Sequence, residues 1–202
     1  MSSTDTFAPP RSTSWRVVDI VVAAVVAAAC GVVFTVWGAV SEGPYTALSA
    51  ILPGAEGLGN GPFLFAGVLG GLIVRKPGAA IFVEVVAAVI EALAGSHWGL
   101  SVLLSGAIQG LGAELVFAVL LYRSFGPVAA LLAGAGAGIG EDFVDILTYY
   151  VGKRPEFLVT YAISTVISGA VFGLLSWLLV RALASTGVLD RFAAGRSARR
   201  TV

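Results

Sequence analysis

Apolar positions fall into six runs separated by short polar breaks, covering residues 17–40, 62–74, 77–94, 98–122, 127–150 and 157–184. A helix rising about 1.5 Å per residue needs about 20 apolar residues to cross a bilayer. The second run is shorter and Gly-rich, short enough to begin in the preceding connection. The others approach or exceed that length. The pattern predicts an all-α integral membrane bundle of six transmembrane helices. Residues 1–14 are polar and expected to be a disordered cytoplasmic N-terminus, 15–185 form the membrane domain, and 186–202 form a basic cytoplasmic tail.

Lys and Arg set the orientation, because they concentrate in cytoplasmic loops. With six spans, Arg11, Arg16, Arg75, Lys76, Arg123, Arg181, Arg191, Arg196, Arg199 and Arg200 share one side. Only Lys153 and Arg154 lie on the other. This asymmetry predicts that both termini are cytoplasmic. The outer side then carries the long connection 41–61, with Glu42, Tyr45, Glu56 and Asn60, which can fold over a site as a lid.

The polar residues inside the runs carry the chemistry. Glu84, Glu91, Glu114, Glu141, Asp142 and Asp145 all lie in apolar runs that contain no Lys or Arg. On insertion scales such a charge costs roughly 2.5–3.5 kcal/mol at mid-bilayer, so these groups are expected to face a bundle interior or a wet cavity. Helical spacing sorts them into faces. Trp98, Ser101, Ser105 and Gln109 follow steps of 3, 4 and 4 and make one polar stripe. Glu84 and Glu91 share a face, as do Glu141, Asp145 and Thr148, with Asp142, Asp145 and Tyr149 on an overlapping one. Tyr161, Ser164, Thr165 and Ser168 form a weaker stripe.

Depth along the helices brings Glu91, Trp98, Ser105, Gln109, Asp142, Asp145 and Tyr149 toward one cavity opening outward, with Glu141 and His97 as further candidates. Glu84 and Glu114 lie deeper, either as support behind the site or paired with Arg75 or Arg123. His97 is a lone histidine near the surface, better suited to a helix-end hydrogen bond or a ligand contact than to metal ligation. Asp19 is expected to be structural. No metal site and no cofactor are predicted.

Two stretches resemble motifs. The run 134–140, GAGAGIG, has neither the Lys-Ser/Thr pair nor the preceding strand of a phosphate loop, so its Gly134/Gly138 and Gly136/Gly140 spacings predict close helix packing instead. Ala23, Ala27 and Gly31, with Ala24 and Ala28 alongside, offer the same device on the first helix. They serve either an internal contact or the docking of another membrane subunit.

Composition narrows the function. The chain has 202 residues, 57% hydrophobic and 12% charged, against about 25% charged in soluble domains, which leaves no room for a soluble catalytic domain. Zero net charge argues against nucleic acid, and the single Cys30 against a disulfide framework. The run 17–40 is too long for a signal peptide and no cleavage site follows it. The chain has no catalytic motif such as H-E-x-x-H or G-x-S-x-G, and no catalytic residue is predicted. Without a Walker motif it cannot drive ATP-dependent transport alone.

Residues 67–80 (GVLGGLIVRKPGAA), 84–99 (EVVAAVIEALAGSHWG), 109–114 (QGLGAE) and 175–190 (LSWLLVRALASTGVLD) resemble the YkoE family, and the resemblance spans 15–192. It implies a substrate-binding S component of an energy-coupling factor (ECF) transporter in the bacterial plasma membrane. It also implies an outward-facing site for thiamin or its hydroxymethylpyrimidine precursor, and a complex with a transmembrane T component and ABC ATPase subunits. In such proteins small residues of the first helix meet the T component, which makes Ala23, Ala24, Ala27 and Ala28 docking candidates. The aminopyrimidine suits Glu91 and Gln109, and Trp98 suits stacking. The competing reading is an ion- or proton-coupled carrier for a small cationic solute, with the intramembrane carboxylates as proton relays.

Overall fold

The computed structural model describes residues 13–190, 192, 194 and 195. The expected disorder of 1–14 falls almost entirely outside the described residues, as do Arg191, Arg196, Arg199 and Arg200 of the basic tail. Among the described residues the chain is helical throughout. Seven α-helices are α1 (Val17–Val40), α2 (Glu42–Ile51), α3 (Ala66–Val74), α4 (Ala79–Leu93), α5 (Ser101–Val119), α6 (Pro127–Thr148) and α7 (Pro155–Ser185). A 3-10 segment, Ala55–Phe63, lies between α2 and α3. α1, α5 and α7 are each long and apolar enough to cross a membrane. The 3-10 segment and α3, bent by 42° at their junction, qualify together as one broken span. α4 has only 15 residues, and α6, with 22, is interrupted by its three carboxylates.

Small residues set the packing. Along α6, glycines alternate between two neighbours. A Cβ on Gly134 would sit 2.0 Å from the Gly169 carbonyl oxygen of α7, and one on Gly138 would sit 3.0 Å from that of Thr165. On the opposite face, Gly136 and Gly140 approach the α5 carbonyls of Gly112 and Ile108, where a Cβ would lie at 2.6 Å. The two overlapping four-residue spacings thus serve two partners, wedging α6 between α5 and α7. In lipid, such close backbone approach supplies the dispersion contacts that replace a hydrophobic driving force.

α1 uses its small stripe in the same way. Ala23 and Ala27 are fully buried, and a Cβ on Gly31 would strike Ile90 of α4 at 2.7 Å. Of the four docking candidates, Ala23 and Ala27 are buried within the bundle, Ala24 is half-buried and Ala28 is exposed. Asp19 is structural. It accepts from the Arg16 backbone N–H at 2.8 Å, and its carboxylate pairs with Arg16 Nη2 at 2.8 Å and Lys76 Nζ at 2.6 Å. The start of α1 is thereby tied to the α3–α4 turn.

The connection 41–61, expected to be a loop, is almost wholly helical. α2 lies across one end of the bundle, and the 3-10 segment descends beside α7. The hydroxyls of Ser164 and Ser168 donate to the carbonyls of Gly54 and Leu58, each at 2.7 Å, and Trp37 Nε1 donates to Gly59 at 2.9 Å. The polar stripe of α7 therefore satisfies a backbone that 3-10 geometry leaves poorly bonded. Irregular backbone at membrane depth survives where neighbouring protein supplies its partners.

Candidate functional site

The end of the bundle beneath α2 encloses a cavity of about 450 Å³. Glu91, His97, Trp98, Ser105, Gln109, Glu141, Asp145 and Tyr149 all line it. Asp142 does not: it is buried toward α7, its Oδ1 without a hydrogen-bond partner, as is the Thr165 hydroxyl. Successive residues of α6 point about 100° apart, so Glu141 and Asp145 share the cavity face and Asp142 turns away from it.

Each wall holds its polar groups in a defined way. On α5, Gln109 donates through Nε2 to Glu141 Oε2. At the end of α4, Glu91 Oε1 accepts from the Ser96 hydroxyl at 2.9 Å. At the rim, Trp98 packs between His97, with centroids 3.6 Å apart, and Phe63, edge-on at 5.5 Å. Ser101 does not line the cavity; its Oγ lies 2.7 Å from the Trp98 carbonyl and 2.6 Å from the Tyr149 hydroxyl, joining the ends of α5 and α6.

The roof was the part least visible in the sequence. Tyr45 of α2 donates to Asn60 Oδ1 at 2.9 Å; Asn60 Nδ2 donates to the Tyr161 hydroxyl at 2.7 Å; and that hydroxyl donates to Asp145. This chain of bonds joins α2, the 3-10 segment, α7 and α6. Burial first, and then the charges of Glu141 and Asp145, raise the Tyr45 hydroxyl far above the usual phenol range. Burial, with Asp145 and Glu56, pushes Tyr150 up to about 12. Both therefore act as neutral hydroxyls. Glu42 and Glu56 also face the cavity, whose lining contains no Lys or Arg. An acidic, aromatic-walled cavity of this kind suits a small ligand that brings hydrogen-bond donors or positive charge.

Three comparisons bear on the fold that builds this cavity. The family described as "ABC-type cobalt transport system, permease component" matches residues 18–140. A protein of Bacillus subtilis (strain 168) named "Putative HMP/thiamine permease protein YkoE" is 34% identical over 188 residues, covering 91% of this chain and 92% of that one. The chain belongs to the YkoE family. A crystal structure of an S-component of an ECF transporter superposes with a TM-score of 0.84 at 31% identity, over 93% of this chain and 95% of the other. The YkoE-type chain described here thus has the architecture of a transporter S component.

Within this YkoE-family fold the two deep carboxylates have a different use. Glu114 accepts the backbone N–H groups of Gly78 (2.7 Å) and Ala80 (2.8 Å), and the Tyr122 hydroxyl at 2.6 Å. It caps the first turn of α4 from another helix. Glu84 Oε2 accepts the Gly67 N–H at 2.5 Å, capping the first turn of α3. The start of α3 lies inside the bundle, where an orphan N–H has no water to turn to, the start of α4 is part-buried beside the α3–α4 turn, and an anion at either meets the positive end of the helix dipole. Neither Glu84 nor Glu114 lines the cavity.

Proposed function

We propose that this chain is the substrate-binding subunit of an ECF-type importer. In this reading it captures thiamin or hydroxymethylpyrimidine outside the cell, for uptake driven by a T component and ABC ATPase partners. The observation that carries the reading is the cavity itself. Its volume of about 450 Å³ lies within the roughly 300–1,000 Å³ typical of small-molecule sites, and its carboxylates have no basic residue beside them in the lining. An exocyclic amine of the pyrimidine would donate to Glu91 or Glu141, with Gln109 meeting a ring nitrogen. Trp98, backed by Phe63, would stack on the ring, and the thiazolium of thiamin would be drawn by the carboxylates and aromatic faces. The name carried by the Bacillus subtilis relative supports the same class of compound.

The reading includes six crossings of the bacterial plasma membrane, counting the 3-10 segment and α3 as one, with both termini cytoplasmic and residues 15–185 as the membrane domain. The exposed apolar faces support it: Val21, Val25, Val32 and Val36 of α1 and Ile163, Ile167 and Val171 of α7 all point outward. The basic residues Arg16, Arg75, Lys76, Arg123 and Arg181 lie at the end opposite the cavity, as cytoplasmic termini require. In this reading the chain is not an enzyme, and Ala24 and Ala28 remain available to the T component.

Isothermal titration of the purified chain, alone in detergent, tests the proposal. Saturable binding of thiamin or hydroxymethylpyrimidine without ATPase partners is the expected result. Folded protein that binds neither would remove the vitamin assignment and favour the ion-coupled carrier.

A further inference from the structure

We infer that the cavity admits its ligand only as the free alcohol and rejects the phosphate ester of the same compound. This rests on the reading of the cavity as the ligand site and asks which chemical form enters. Five carboxylates face the space: the exposed Glu42, the half-buried Glu56, and the buried Glu91, Glu141 and Asp145. The partners fixed for four of them are neutral. Glu56 accepts the Gly54 N–H at 2.9 Å, Glu91 the Ser96 hydroxyl, Glu141 the Gln109 amide and Asp145 the Tyr161 hydroxyl. His97, the one histidine of the lining, lies exposed at the rim against Trp98.

A phosphate monoester carries about −1.5 to −2 charges at pH 7 and is ordinarily held by Arg or Lys. Here it would meet the Glu42 and Glu56 side chains at the mouth and find no Lys or Arg in the lining to hold it. Two neutral donors of the lining, Gln109 and Tyr161, already serve carboxylates. Lys153, at the same end of the bundle, is directed elsewhere. Lys153 Nζ lies over the Phe157 ring at 5.4 Å, and Phe157 packs on Tyr150 and Tyr161 from behind the cavity wall. A phosphorylated form would therefore have to be hydrolysed outside, water cleaving its P–O bond to return the alcohol and inorganic phosphate.

Titration of the whole chain in detergent with thiamin, thiamin monophosphate, hydroxymethylpyrimidine and its monophosphate tests this. The expected result is saturable binding of a free alcohol and at least about 100-fold weaker binding of its ester. In the double variant E42Q/E56Q the gap should narrow by about tenfold, since two of the opposing charges are gone. The K153A variant should leave the ratio as it is. An ester that binds within about threefold of its alcohol overturns the inference while leaving the ligand reading intact; loss of such ester binding in K153A would then assign the phosphate to Lys153. Failure of every compound to bind the folded chain overturns the ligand reading and the inference together.

Discussion

α4 carries two glutamates seven residues apart on one face, and they lead opposite lives. Glu91, at the cavity end, meets a hydroxyl and faces space a ligand can fill. Glu84, two turns deeper, is fully buried and holds the first turn of α3 through the Gly67 N–H. Glu114 on α5 repeats the second pattern by capping α4, and Glu141 on α6 repeats the first. A carboxylate at membrane depth is therefore not by itself a mark of ligand binding. What decides its role is whether its acceptor oxygens are taken by a helix start or left toward a cavity.

Four substitutions should separate the two groups. The largest effect is expected from Glu114→Ala, which strips acceptors from two backbone amides and a tyrosine hydroxyl. A loss of about 3 kcal/mol, read as a large drop in melting temperature in detergent, should come with ligand affinity nearly unchanged in the fraction that stays folded. A large affinity loss with unchanged melting would place Glu114 with the ligand groups instead. Trp98→Ala should do the reverse. It should weaken ligand binding about 10–100-fold by titration while shifting melting less than Glu114→Ala does, because the ring is only partly buried. Glu91→Gln is expected to cost about tenfold in affinity through loss of a charge-assisted bond, with stability unchanged or improved. Equal affinity in wild type and this variant would sink the role given to Glu91. The smallest effect belongs to the roof. Tyr45→Phe removes one hydrogen bond of the chain that ends at Asp145, so a loss of about 0.5–1 kcal/mol in stability and only a few-fold in affinity should follow.

Much of this molecule was legible in the order of its residues. A step of 4 placed Ser105 and Gln109 on one face of α5, with Trp98 in the turn before it, and the small-residue spacings around Gly134 and Gly136 announced close packing on two sides. Asp142 was harder to place, because helical spacing allowed it one face with Asp145 and Tyr149 and another apart from Glu141. Only the position of α7 decided that its carboxylate turns from the cavity. Tyr161 and Asn60 are 101 residues apart, and no local pattern announces a bond between them. The α7 serines read as a weak stripe because their partners are backbone carbonyls of a distant segment, which leave no trace in side-chain periodicity.

The sequence by itself determined that this is a helical membrane protein with buried acid. Those properties follow from apolar run length and the cost of charge in lipid, both of which are local or compositional. Tertiary structure alone decided which carboxylates hold helix starts and which line the cavity, that Ala23 and Ala27 are buried inside the bundle, and that a Gly-rich connection becomes a helical roof. Each of these depends on which backbone amide or helix lies opposite a side chain, and that is set by how the helices pair rather than by their spacing along the chain.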